Sequence, residues 1–424
     1  MSRFLLASWS FETHAGVFLS VAEALLADGH EVAIYTAERE RRRVEALGAR
    51  LFPFQALSQE EADDTVDRIL HNRKRPWRLW RSWRGLLLET LPQQIEDLQT
   101  AVAKYQPDVI VGDTALWSVV LVIRETTGIP TAMLSHVALC LQPGHAGPVH
   151  GRALPPRHTL GQKFVAAAIE ALSGYSRRDV RRTSNRIRAA HGLPPVNKRM
   201  AELMGETDLY LIPTCASFDY SRTDLPASVH YIGPCLWPPR RSLKPTLRHE
   251  GPPRIIAEEG TLYAETPVLL RAAAEGLAGS GMAVALVTGK DRAAESLDFR
   301  IPPEIELTDW KPLHTLLDGA DVVLTNGNTA SVMAALLKGL PLLVVPSLLD
   351  QGEVAMRVKE SGAGILLPEG RCTPDRLRAA VEELVREPRF RENALRLATE
   401  LRHLEGPRLA AYQLDQLARK TAAI

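Results

Sequence analysis

Asn326, Gly327, Asn328, Thr329 and Ser331 stand between the apolar run Ala320 to Thr325 and an apolar stretch of helical period, so a small polar turn joins a buried strand to a helix. A helix N-terminus presents N–H groups and the positive end of its dipole, and small residues there let a phosphate or pyrophosphate approach. Any tight strand-to-helix turn in a parallel sheet has the same look, and the residues alone leave both readings open. One strand further on, Asp350 and Gln351 follow Pro346. A carboxylate beside an amide offers acceptors and a donor to the vicinal hydroxyls of a sugar, while Asp350 is equally suited to cap a helix.

A second chemistry lies near the N-terminus. His14 is expected in the turn between a first strand, Phe4 to Ala7, and the helical stretch Val17 to Ala27. An imidazole acting as a base needs a carboxylate on its other nitrogen to fix the tautomer, and a lone loop histidine without one is ordinarily solvated. Asp113 directly follows the apolar run Asp108 to Gly112; its competing role is to cap the next helix. Between these regions Trp77, Trp80 and Trp83 recur at spacing three among Arg68, Arg73, Lys74, Arg75, Arg78, Arg81 and Arg84. That pattern predicts one aromatic stripe on a basic helix, which can pack on its domain, wall an apolar or anionic pocket, or meet a membrane surface. His136, His145, His150 and His158 follow a later strand at spacings that fit no helical metal pair, so no metal site is expected.

The elements that must position these groups alternate. Short apolar runs, spaced by helical stretches, predict parallel strand–helix–strand units in the first half. The pattern restarts with Arg254 to Ala257, Met282 to Thr288, Ala320 to Thr325 and Pro341 to Pro346. Between the halves, residues 233–253 hold six prolines and no periodicity, which marks a linker. The expected organisation is an α/β chain with a Rossmann-like domain at 1–232, a linker at 233–253, a second Rossmann-like domain at 254–404, and a last helix at 405–424 crossing back to the first. Ligands of such folds bind in the cleft between domains.

Composition narrows the chemistry. Lys+Arg 51 against Asp+Glu 50 leaves a formal charge of +1, so no overall field holds a nucleic acid. The four cysteines, Cys140, Cys215, Cys235 and Cys372, lie far apart, which fits neither a disulfide framework nor a zinc site. No run has the length and apolar continuity of a signal peptide or a bilayer-spanning helix, and a cytoplasmic location is expected.

From Trp310 to Leu367 the chain resembles the nucleotide-sugar signature of the GT-B glycosyltransferases of family 1. Trp310, Lys311 and Pro312 match its opening Trp-x-Pro, and Asp350 with Gln351 match its closing Asp-Gln pair. The middle departs: where that family has His-Gly-Gly-x-Gly-Ser/Thr, this chain has Asn326, Gly327, Asn328, Thr329, Ala330 and Ser331. The resemblance implies a GT-B fold, Trp310 on the nucleobase, the Asn326 loop and the Gly260–Thr261 turn at the diphosphate, and Asp350–Gln351 on the sugar. Asn326 then donates to phosphate through a neutral amide, where an imidazole adds charge. The Gly29–His30–Glu31–Val32 stretch aligns His14, not His30, with the family's catalytic base, and Asp113 with its partner. The acceptor walls fall at Trp77, Trp80 and His136.

The activity implied is an inverting, metal-independent transfer of a sugar from a UDP- or dTDP-sugar to a hydroxyl of a small hydrophobic natural product. No cofactor is implied beyond that co-substrate, and the oligomeric state stays open, a homodimer among the options. Two rivals remain at this level: a non-catalytic GT-B relative whose phosphate loop drifted, and a sugar-nucleotide epimerase of the same fold.

Overall fold

A computed structural model describes residues 1–9, 11–72, 75–135, 159–172, 174–237, 251–260, 266–289, 292–311, 313–348 and 350–422. Two parallel sheets organise them. The first has the order β3-β2-β1-β4-β5-β6-β7, with β1 Arg3–Ala7, β2 Glu31–Thr36, β3 Arg50–Pro53, β4 Val109–Asp113, β5 Thr131–Leu134, β6 Leu209–Ile212 and β7 Val229–Tyr231. The second has the order β10-β9-β8-β11-β12-β13, with β8 Arg254–Glu258, β9 Ala283–Val287, β10 Glu306–Thr308, β11 Val322–Thr325, β12 Leu342–Val344 and β13 Gly364–Leu366.

The strands are apolar throughout because both faces of each sheet are covered by helices. Alternate residues of the first sheet divide between two cores: Leu5, Ile110 and Met133 face one, Phe4, Val109 and Val111 the other. The second sheet divides likewise, with Ile256, Val323 and Leu342 on one face and Ile255, Val322 and Leu343 on the other. The halves are not separated cleanly by sequence. Cys215 and Phe218, which follow β6, pack in a core of the second sheet. The Gly406–Ala422 helix returns to the first, setting Ala410, Ala411 and Leu414 against Phe4, Phe18 and Val21. His30 belongs to that return: its Nδ1 accepts from the Ser2 N–H at 3.2 Å and its Nε2 stands 3.6 Å from Asp415.

Strand order fixes where chemistry can gather. In each sheet the chain builds outward from its first strand to one side, then crosses to the other, so neighbouring loops diverge at the β1/β4 and β8/β11 junctions. The crevice beyond the carboxyl ends of the strands at such a switch point is where doubly wound sheets bind ligands. His14 and Asp113 lie at the first junction; Glu259–Gly260 and Asn326–Asn328 lie at the second. Among the described residues no helix is long and apolar enough to cross a membrane.

Candidate active site

His14 is in the first turn of the Glu12–Ala27 helix, not in a free turn before it. The apolar period starts only at Val17, whereas Glu12, Thr13 and His14 extend the helix over the sheet edge without burying an apolar side chain, so the sequence pattern started the helix late. The His14 side chain is 8% exposed, and its ring lies against Phe11 with centroids 4.8 Å apart. Its Nδ1 is 2.7 Å from Asp113 Oδ2. A carboxylate only accepts, so Nδ1 carries the proton and the ring's basic lone pair resides on Nε2. Asp113 is fully buried and also accepts from the Trp9 N–H at 3.0 Å and the Ala115 N–H at 2.8 Å. It therefore caps its helix and holds the histidine at once, and the two readings of the sequence are both realised.

Asp350, in the other half, lies close enough to His14 for the two to interact electrostatically. Desolvation raises the Asp350 carboxyl to about 6, against the opposing pull of its own backbone N–H and of His14. Asp350 occupies the N-cap position of the Gln351–Glu360 helix, yet its side chain makes no capping bond. Gln351 is buried, and its Oε1 accepts from the Ser347 and Leu348 N–H groups at 3.0 and 2.8 Å, which fixes the loop leading into that helix.

The phosphate-loop candidates are stapled together. The Asn326 amide donates to the Glu259 carbonyl at 2.6 Å, and its Oδ1 accepts from the Asn328 N–H at 3.1 Å. The amide expected to meet phosphate is thus engaged with backbone, because Asn326 is buried and an unpaired amide there would be costly. Asn328 caps the Thr329–Leu337 helix by accepting from the Ala330 N–H at 3.0 Å. Glu258 is buried, and burial raises its carboxyl above its ordinary range against the opposing pull of the Thr325 and Ser331 hydroxyls and the Gly260 N–H. Gly260 adopts φ +69° beside Asn328, completing the turn.

Gly327 has φ +93°, and a Cβ there would stand 3.0 Å from both the Gln351 carbonyl and Val344 Cγ1. Gly327→Ala is therefore expected to cost about 1–3 kcal/mol and to displace Gln351. A melting temperature unchanged in this variant would contradict that geometry.

Sequence reasoning missed Glu258 and the ion pair of Arg292 with Glu259. Desolvation raises Glu259 to about 7 despite that guanidinium. Residues so far apart in the chain carry no local signal of the pairing. Trp310 follows β10 and is half-buried. Thr261, Pro312, His136, His145, His150 and His158 lie outside the described residues, as does the side chain of Trp77.

Trp80 and Trp83 do not share one face. Trp83 and Leu79 pack with Phe11 against the first core, whereas Trp80 lines a separate cleft of about 1150 Å³ with Arg68, Arg78, Arg81 and Arg84. Each three-residue step advances about 300° around the helix, about 60° short of a full turn, which turns Trp80 away from Trp83. Among the described residues no three His, Cys, Asp or Glu side chains gather as a metal site.

A buried histidine–carboxylate dyad within electrostatic reach of a second carboxylate, together with a stapled strand–turn–helix, suits proton abstraction beside an anionic leaving group. Residues 282–416 match the family described as erythromycin biosynthesis protein CIII-like, C-terminal domain. The chain is 30% identical over 411 residues to the 4'-demethylrebeccamycin synthase of Lentzea aerocolonigenes, covering 94% of this chain and 95% of that one. It belongs to the family 1 natural-product glycosyltransferases.

Solved structures share the fold of this glycosyltransferase. The calicheamicin glycosyltransferase CalG4 superposes with a TM-score of 0.75 at 20% identity, covering 98% of both chains. The spinosyn rhamnosyltransferase SpnG, complexed with thymidine diphosphate, gives 0.70 at 16% identity, covering 98% of this glycosyltransferase and 100% of SpnG. Its two parallel α/β sheets are thus those of the GT-B architecture.

Proposed function

We propose that this glycosyltransferase moves a sugar from a UDP- or dTDP-sugar to a hydroxyl of a small hydrophobic natural product, with inversion at the anomeric carbon and without a metal, in the cytoplasm. The acceptor proton passes to His14 Nε2 as the acceptor oxygen bonds the anomeric carbon. The bond from that carbon to the diphosphate breaks, and its electron pair leaves with the diphosphate. Asp113 holds the ring and stabilises the imidazolium that forms. Backbone N–H groups near Gly260 and at the start of the Thr329–Leu337 helix meet the departing charge. Asp350 accepts from sugar hydroxyls, and Gln351 contributes through its amide N–H, since its Oε1 is committed to Ser347 and Leu348.

The observation that carries this reading is the 2.7 Å His14–Asp113 contact, in a ring within electrostatic reach of Asp350. An intact dyad is what a non-catalytic relative has no use for, and relatives named as transferases, such as the demethyllactenocin mycarosyltransferase of Streptomyces fradiae, favour transfer over epimerisation. The thymidine diphosphate complex of SpnG, a structure of the same fold, supports a nucleoside diphosphate as the leaving group. Thermal shift against a panel of UDP- and dTDP-sugars tests it: a ligand at 100 times its Kd stabilises by about 2.7 kcal/mol. The preferred nucleotide is expected to raise the melting temperature with or without its sugar. A panel that gives no shift at millimolar concentration would remove the proposal.

A further inference from the structure

The helix that begins at Gln351 carries a buried guanidinium two turns further on. Residues seven apart lie on one face of a helix, so Arg357 shares a face with Asp350. Its side chain is fully buried, as are those of its partners Asp219 and Glu353. Arg357 Nε donates to Asp219 Oδ1 at 2.9 Å, and Nη1 donates to the Glu353 carbonyl at 3.1 Å and to Glu353 Oε2 at 3.3 Å. The guanidinium carbon sits 4.2 Å from the centre of the Tyr220 ring. Tyr231 Oη donates to Asp219 Oδ2 at 2.7 Å, and the Tyr220 N–H donates to a neighbour, Asp219 Oδ1, at 2.8 Å.

This network joins the two halves. Arg357 and Glu353 ride on the helix that starts at the Asp-Gln pair, whereas Asp219 and Tyr220 follow β6 and Tyr231 ends β7 of the first sheet. Stability alone does not explain it. Removing charges from water costs as much as their attraction returns, and apolar side chains of similar volume often do as well. What a forked guanidinium adds is direction: a planar group held by a carboxylate and stacked on a ring has one orientation. Burial pulls the guanidinium pKa down, and Asp219, Tyr220 and Glu353 more than reverse it, so the group stays charged and the clamp stays closed.

We propose that Arg357 is a positioning residue for sugar transfer: clamped by Asp219, Tyr220 and Tyr231 of the first sheet's half, it sets the register of the 351–360 helix and so places Asp350 opposite His14. The inference rests on the functional reading above. It predicts a separation of binding from turnover, because the candidate diphosphate loops lie within one half while the reacting geometry spans both.

The test uses the full chain. Arg357→Lys keeps the charge and loses the fork; Tyr231→Phe removes a single hydroxyl and serves should the lysine variant not fold. Calorimetry with UDP and thymidine diphosphate gives nucleotide Kd, and release of nucleotide from the sugar nucleotide, in water and with 4-methylumbelliferone as acceptor, gives turnover. An ångström of misplacement costs about 100-fold, so Arg357→Lys is expected to lose roughly that much kcat with Kd changed less than about twofold, and Tyr231→Phe about a tenth of it. A folded variant with wild-type kcat overturns the inference, as does a Kd that weakens in step with kcat, which would mark a merely structural role. Wild-type protein that binds neither nucleotide and releases none overturns the functional reading, and this inference with it.

Discussion

His14→Ala is expected to lower sugar-transfer turnover by about 10²- to 10⁴-fold, the usual worth of a positioned general base, while nucleotide affinity changes little. The separation follows from placement. His14 stands at the β1/β4 junction, whereas the candidate diphosphate loops stand at the β8/β11 junction of the other sheet. The truncation leaves Asp113 bonded to the Trp9 and Ala115 N–H groups, so the sheet edge keeps its main contacts. Loss of one buried hydrogen bond costs about 1–3 kcal/mol, which a chain of this size tolerates. Steady-state rates with saturating sugar nucleotide, beside calorimetric binding of the nucleotide, check both halves. Undiminished turnover in a folded His14→Ala protein removes the base.

Asp113→Asn is expected to cost turnover about as much, by a different route. Asparagine caps helices as well as aspartate, so the Ala115 N–H loses nothing if the amide oxygen turns toward it. The amide nitrogen then faces His14 Nδ1 and the Trp9 N–H, both of which meet an acceptor in the native protein. The ring is driven to the tautomer with its proton on Nε2, where a base must have none. In serine proteases the equivalent exchange lowers kcat by about 10⁴-fold. Were capping the only role of Asp113, turnover would survive the change; the two roles that the sequence left open are thereby separated by one rate measurement.

Much of this was legible before the structure. Short apolar runs such as Val109 to Val111 mark strands covered on both faces, and the strand–turn–helix at Asn326 and the Asp-Gln pair stand where the structure starts helices after β11 and β12. Less legible was what each side chain does. Asn326 spends its amide on the Glu259 carbonyl, because burial favours polar groups that find a nearby partner. The tryptophan stripe failed for a geometric reason, since spacing three drifts around a helix of 3.6 residues per turn.

The chain's own order of residues determined the element types, their parallel arrangement and the identities of the groups able to act as base, orienting acid and sugar ligand, since periodicity and side-chain chemistry are local properties. The tertiary structure alone decided that His14 Nδ1 meets Asp113 across 99 residues, that Asp350 of the other half comes within electrostatic reach of His14, and that Arg357 reaches Asp219. Those meetings depend on strand order and on packing between sheets, which bring together loops that no short-range pattern connects.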